Sequence, residues 1–188
     1  MRCFIAINLY EKLRTDIGKA TEPLRKAGTD VKWVASENLH ITLKFLGETT
    51  DETVNDIIRI MEPKSRSLKS FDIKFHGIGA FPDWRRPRVI WIGITKPERL
   101  IRLQENIEEI AIALGYNREK RTFSSHLTIG RVKSLKNIDS LMRAAGELKL
   151  MDFGNIRAGR ISLMKSELKP AGAEYTTLAE FELNKEEQ

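Results

Sequence analysis

Leu39-His40-Ile41-Thr42-Leu43-Lys44-Phe45-Leu46-Gly47 and Phe123-Ser124-Ser125-His126-Leu127-Thr128-Ile129-Gly130-Arg131 carry one pattern twice: His, apolar, Thr, apolar. His126 follows His40 by 86 residues. An internal repeat should extend past its motif, and this one does. At the same offset residues 2–7 fall on 88–93, each an Arg followed by a short, mostly apolar, strand-like run. Residues 11–25 fall on 97–111, and both segments read as amphipathic helices. In the second of these, Leu100, Leu103, Ile107, Ile110, Ala111 and Leu114 follow three-and-four spacing. Residues 51–61 fall on 137–147, again helical, with stripes of Val54, Ile57, Ile58, Met61 and of Ile138, Leu141, Met142, Ala145. Residues 71–75 alternate with period two, as a half-buried strand should, and their partner region is 156–164. The chain therefore reads β-α-β-α-β twice, over about 1–86 and 87–172, with an added strand near 176–183. Strands separated by helices predict an α/β or α+β sheet protein. We read one domain of two intertwined lobes, about 90 residues each, related by a pseudo-twofold. A single four-residue match can be an accidental echo, but a motif and its flanking elements agreeing at one offset argue against it.

Composition narrows the setting. The chain has 188 residues, one Cys, and 32 Lys plus Arg against 26 Asp plus Glu, a formal charge of +6. That length suits one domain or two small ones and buries enough surface to need no staples. A lone Cys forms no internal disulfide, which points to a reducing, cytoplasmic setting. No apolar run approaches the roughly 20 residues of a membrane helix. The N-terminus meets Glu11 and Lys12 too soon for a signal peptide. A pI near 9.5 permits a polyanionic partner without specifying one. The segment 77–87, rich in Gly and Pro, reads as the loop joining the lobes, and the polar tail 184–188 as frayed.

On a strand, alternate side chains share a face. Leu39, Ile41 and Leu43 then point to a core, and His40, Thr42 and Lys44 away from it. Likewise Leu127 and Ile129 point inward, and His126 and Thr128 outward. Each lobe presents an imidazole beside a hydroxyl, about 7 Å apart along the strand. Across a pseudo-twofold, one neutral His can take a proton from a nucleophile while a protonated one gives a proton to a leaving group. The Thr42 and Thr128 hydroxyls can bind non-bridging phosphate oxygens. Phosphodiester hydrolysis or transesterification fits, with no metal or cofactor. A lone His beside a Thr on a strand is usually structural; two such pairs in equivalent places reverse that judgement. His76 has no Thr two residues on and reads as structural. Other chemistries fit less well: no HExxH, Walker A, complete GxGxxG or Gly-x-Ser-x-Gly pattern occurs, and Cys3 sits in an apolar strand.

The paired motifs resemble the two-histidine phosphoesterase superfamily. The whole chain is similar to the bacterial and archaeal RNA 2′,3′-cyclic phosphodiesterases, historically called 2′-5′ RNA ligases. The opening Arg2-Cys3-Phe4-Ile5-Ala6-Ile7 and both motif stretches carry the resemblance, with Ser125 where the family often has Pro. It implies an α+β, bilobal fold: two sheets lining a central cleft, helices outside. It implies hydrolysis of an RNA terminal 2′,3′-cyclic phosphate to a 2′-phosphate, with His40 as proton donor and His126 as proton acceptor. Thr42, Thr128 and Arg131 would bind the phosphate. The implied partner is RNA with cyclic phosphate ends, tRNA halves among them, handled by a monomer without cofactor. Arg131 stands five residues after His126, off its face on an ideal strand, so a bend near Gly130 would have to bring it round. Lys44 and Phe123 are candidate substrate contacts, Phe123 by stacking a base or else as core. Arg85, Arg86 and Arg88 read either as backbone-phosphate contacts or as a solvated loop. Reversible 2′-5′ joining, a cyclic-nucleotide or ADP-ribose cyclic phosphate esterase with the same site, and a non-catalytic RNA-binding module are the competing readings. The intact His-Thr pairs argue against the last, since binding alone favours Arg or Lys.

Overall fold

The computed structural model describes residues 1–170 and 172–185. Among the described residues nine strands form two antiparallel sheets. The first sheet has the order β3-β1-β8-β9, built from β3 (His40–Glu48), β1 (Arg2–Asn8), β8 (Arg160–Lys169) and β9 (Gly172–Glu182). The second has the order β2-β6-β5-β4-β7, from β2 (Val31–Trp33), β6 (His126–Val132), β5 (Val89–Thr95), β4 (Phe71–Phe81) and β7 (Asp152–Ala158). Among the described residues there are five α-helices: α1 (Glu11–Ala20), α2 (Glu22–Lys26), α3 (Asp51–Ser65), α4 (Glu98–Ala113) and α5 (Ile138–Glu147). Strands β3 and β6, which carry the two motifs, lie against one another where the sheets meet. Among the described residues no helix is long and apolar enough to cross a membrane.

The sheets are not the two halves of the chain. In the first, β1 sits between β3 and β8; in the second, β5 sits between β6 and β4. Each sheet thus mixes strands from both repeats. The helices cross over too: α1 packs on β7 and α4 on β3. One continuous core runs under both sheets, including Ile5, Ile41 and Ile57 from the first half and Ile92, Ile107, Leu127 and Leu141 from the second. Burying each such side chain contributes roughly 1.5–3 kcal/mol.

Several expectations shift in detail. The single strand expected over 156–164 is two strands, β7 and β8, in different sheets, with Gly159 between them. The segment expected as a loop from Gly77 remains in β4 through Phe81; a bulge at Gly77, in the left-handed region at φ 69°, lets the strand continue. The first helix breaks at Thr21. Asn184 is bridged to Lys69 rather than frayed, while 186–188 lie outside the described residues. The repeat offset is also not uniform. Asn8 pairs with His40 and Gly93 with His126, so the first strands are 85 residues apart where the motifs are 86 apart. One residue matters because the side-chain period of a strand is two.

The feature that positions the site is a bulge made twice. In β3, Ala6 pairs with Thr42 and Ile5 with Lys44, which leaves Leu43 as an extra residue. In β6, Trp91 pairs with Thr128 and Ile90 with Gly130, which leaves Ile129 extra. A bulge resets the alternation from that point on. Lys44 therefore turns inward rather than sharing the face of His40, against expectation. Its Nζ donates to Glu108 Oε1 at 2.7 Å and to the Asn117 carbonyl at 3.0 Å, with the Lys44 and Glu108 side chains 7% and 5% exposed. Glu108 also accepts from the Glu119 N–H and from Gln104. The equivalent inward place in β6 is Gly130, where a Cβ would come within 2.8 Å of Val31 and 2.9 Å of Trp33 from the edge strand.

Burial acts to raise the Glu108 carboxyl, but the hydrogen bonds from Lys44 and the Glu119 N–H outweigh it and hold the group below its ordinary value. A carboxylate so lowered contributes stability above about pH 4.5 that is lost as the pH falls. Lys44→Ala leaves this carboxylate buried without its cation, and we expect a loss of about 3–5 kcal/mol, read from the urea midpoint at neutral pH. A loss below about 1 kcal/mol would show that Lys44 is free to serve the cleft.

Candidate active site

Both imidazoles are held the same way. His40 Nδ1 lies 2.7 Å from the Asn38 carbonyl oxygen, and His126 Nδ1 lies 2.6 Å from that of Ser124. A carbonyl can only accept, so Nδ1 carries the hydrogen in each ring and donates it. Each ring is thereby oriented with Nε2 left as its working nitrogen. The anchoring residues are themselves repeat-equivalent, two places before each His.

Residues paired across neighbouring antiparallel strands share a face. On the first sheet, Asn8, Ala6 and Phe4 lie opposite His40, Thr42 and Phe45. On the second, Gly93, Trp91 and Val89 lie opposite His126, Thr128 and Arg131. The structure thus brings His40 and Thr42 together on β3, and His126, Thr128 and Arg131 on β6. The turn needed to bring Arg131 onto this face is made by the bulge at Ile129. Lys32 of β2 lies opposite Arg131 and adds a second cation to that edge.

The charge of Arg131 is felt at both His126 and Tyr175 of β9. Burial pushes both imidazoles below their ordinary value, and the carbonyl bonds only partly offset it. His126 carries a further push in the same direction from Arg131, which His40 does not. Both rings are therefore poised to be neutral in the free protein and to take up a proton when an anion binds.

Aromatic rings flank each His. Phe4 lies 4.9 Å from His40 between ring centroids, and Tyr175 meets the same ring edge-on at 5.3 Å. Phe81 meets His126 edge-on at 5.0 Å and tilts against Trp91 at the same distance. Trp91 lies over Gly79, where a Cβ would come within 2.2 Å of the indole. None of Phe4, Tyr175, Phe81 or Trp91 was marked as a site residue by the sequence. Phe45 was missed because strict alternation sends it to the core; its visible signal is that it occupies the repeat position of Arg131.

Other expected residues fall elsewhere. Lys44 is committed to Glu108. Phe123 is half-buried and packs against the main core, so the base-stacking role does not fit its place. Arg85 and Arg86 belong to a solvated turn, where Asp83 accepts their backbone N–H groups. His76 is not a core histidine: it lies opposite Gly93, which lies opposite His126, so it shares the cleft face one strand further out. Among the described residues no group of three or more His, Cys, Asp or Glu is placed to hold a metal ion.

Comparison with known proteins agrees with this geometry. A family model described as LigT-like phosphoesterase matches the chain twice, over residues 9–91 and 92–175. The RNA 2′,3′-cyclic phosphodiesterase of Methanothermobacter thermautotrophicus is 37% identical over 183 residues, covering 97% of this chain and 99% of that one. Its namesake from Methanocaldococcus jannaschii is 38% identical over 181 residues, covering 96% and 100%. Among solved structures, TT0787 of Thermus thermophilus superposes with a TM-score of 0.80 at 29% identity over the full length of both chains. E. coli LigT in its apo form gives 0.74 at 25% identity over 97% of each.

Arg131→Gln removes the cation that acts on His126, so the His126 pKa should rise while that of His40 stays where it is. Ring-proton NMR during a pH titration reads both groups in one experiment. An unchanged His126 would mean that Arg131 points out of the cleft.

Proposed function

The chain belongs to the LigT-like phosphoesterase family, and on that premise we propose that it hydrolyses the 2′,3′-cyclic phosphate at an RNA end to a 2′-phosphate, with His40 as general acid and His126 as general base. The observation that carries this reading is the twice-built pair: a carbonyl-anchored imidazole and a hydroxyl on each of two touching strands. Water attacks phosphorus as its proton passes to Nε2 of His126. The P–O3′ bond breaks, and Nε2 of His40 gives a proton to the departing O3′. His126 ends protonated and His40 neutral, and exchange with solvent resets the pair. The Thr42 and Thr128 hydroxyls and the Arg131 guanidinium would hold the non-bridging oxygens, where charge builds up at phosphorus.

The assignment of direction rests on Arg131. A cation beside His126 disfavours its imidazolium, which suits the group that must begin neutral. His40 has no such cation among the causes of its shift. By chemistry the substrate class is RNA with a cyclic phosphate end, and tRNA halves are a natural source of such ends. We place the reaction in the cytoplasm and assign it to a monomer, since both motifs lie on one chain.

An RNA oligomer ending in a 2′,3′-cyclic phosphate, incubated with chelator, should yield a 2′-phosphate. His40→Ala and His126→Ala should each lose about 10²–10⁴-fold in turnover. A 3′-phosphate product would reverse the leaving-group assignment, and no turnover by the intact protein would leave the binding module standing.

The pH profile supplies a separate check. The base must be neutral and the acid protonated, and both free imidazoles sit below the ordinary 6.5. The bell in kcat/KM, which reports the free enzyme, should centre below pH 6.5. Bound phosphate anion favours both imidazolium forms, so the kcat profile should lie at higher pH. A kcat/KM optimum above about pH 8 would exclude this histidine pair as the acid and base.

A further inference from the structure

Resting on the hydrolysis reading, we propose that Asn8 is a further contact at the reacting end: its amide oxygen accepts a hydrogen bond from the 3′-hydroxyl that forms as the cyclic phosphate opens. Asn8 ends β1 and lies directly opposite His40 on the cleft face. The two residues line one open polar cavity of about 560 Å³, walled also by Arg14, Asn38, Arg160 and Tyr175. No sequence motif marks Asn8; only its place beside His40 does.

Chemistry fixes the orientation of the amide. Nδ2 lies 3.1 Å from Ser162 Oγ and 3.6 Å from Met164 Sδ, both on β8. A hydroxyl can accept or donate, so the contact with Ser162 alone would leave the amide free to flip. A thioether sulfur has no hydrogen to give, so the atom that faces Met164 is the NH2 group. Met164 is itself held, since its sulfur also accepts from the Thr177 hydroxyl at 3.3 Å. Both contacts of Nδ2 lie toward β8, and β1 sits between β8 and β3. Oδ1 therefore turns toward β3, where His40 stands. Among the described residues the Asn8 side chain bonds only through its NH2 group, and no donor meets Oδ1.

An amide oxygen can only accept, so what this one lacks is a donor. The cyclic phosphate end brings none close to phosphorus, because both ribose oxygens there are esterified. The reaction makes one. As P–O3′ breaks, the electron pair stays on O3′ and the proton comes from Nε2 of His40. The new O3′–H then donates to the oxygen beside that ring. The contact strengthens only as the bond breaks, which is where an interaction helps the rate. The other motif supplies the contrast. Gly93 holds the place beside His126 that Asn8 holds beside His40. The side that makes a hydroxyl thus carries an acceptor, and the side that consumes water carries no side chain there.

Two oligomers ending in a 2′-phosphate, one with its 3′-hydroxyl and one 3′-deoxy, make the test. The intact protein should bind the first about 2- to 12-fold more tightly, the span of one neutral hydrogen bond. Asn8→Ala should lose that preference. Asn8→Asp keeps an acceptor oxygen and should retain it, even where the added charge weakens binding of both. Equal binding of the two oligomers by the intact protein would overturn the proposal without any variant. An undiminished preference in a folded Asn8→Ala variant would overturn it as well, and so would its loss in Asn8→Asp, since shape rather than an acceptor would then be what counts. Hydrolysis is read separately: if the intact protein leaves the cyclic phosphate end unopened, the hydrolysis reading fails, while the binding ratios still decide the role of Asn8.

Discussion

The extra residue in β3 and β6 is the constraint on which the site depends. Without it, His40, Thr42 and Lys44 would line one face, and so would His126, Thr128 and Gly130. With it, the third position of each face becomes Phe45 and Arg131. The same shift sends Lys44 inward to Glu108 and Gly130 inward beneath Val31 and Trp33. A one-residue slip flips every later side chain of a strand. Because both strands slip at equivalent points, the cleft keeps its two-fold framework while the sequence decorates its walls differently.

That decoration makes the two halves of a symmetric scaffold chemically different. The two imidazoles are anchored identically through Nδ1, so backbone geometry alone gives neither of them a role. Difference enters through neighbours. The charge of Arg131 is felt at His126, whereas His40 is flanked by the rings of Phe4 and Tyr175. A cation favours a neutral imidazole, and aromatic enclosure strips water without adding charge. Side chains one or two strands away, not the motif residues, thus make the surroundings of the two imidazoles differ.

The repeat, the two motifs and the order of helices and strands were legible in the sequence because they rest on local periodicity and on identity at a fixed offset. The bulges were not. Leu43-Lys44-Phe45-Leu46 reads equally as alternation or as a slipped strand, and only the register against Phe4 and Ile5 decides between them. Lys44 was placed on the wrong face for that single reason, and the same kind of slip in β6 supplies the bend that Arg131 needs to share the face of His126. The division of 156–164 between sheets was hidden for a related cause. Gly159 marks a break, but a break says nothing about which sheet the next strand joins. His76 was read as structural because it lacks a neighbouring Thr, and its row through Gly93 to His126 exists only in three dimensions. Phe123, adjacent in sequence to the second motif, packs against the core instead.

The proposed sharing of proton transfer between groups on different strands would require that their separation be fixed, and the exchange of strands between repeats supplies this. β8 completes the sheet of His40 although it follows His126 in the chain, and β4 completes the sheet of His126 although it precedes it. Opening the cleft would therefore strain both sheets rather than hinge a linker. The Lys44–Glu108 pair tightens the same coupling at short range. Lys44 belongs to the strand of His40, while Glu108 and the backbone of Asn117 and Glu119 belong to the helix and loop that lead into His126. A buried ion pair is weak evidence of net stability but strongly resists losing one partner. Placed here, it ties the approach of one histidine to the strand of the other, so the geometry of the pair is set by the core and not by the ligand.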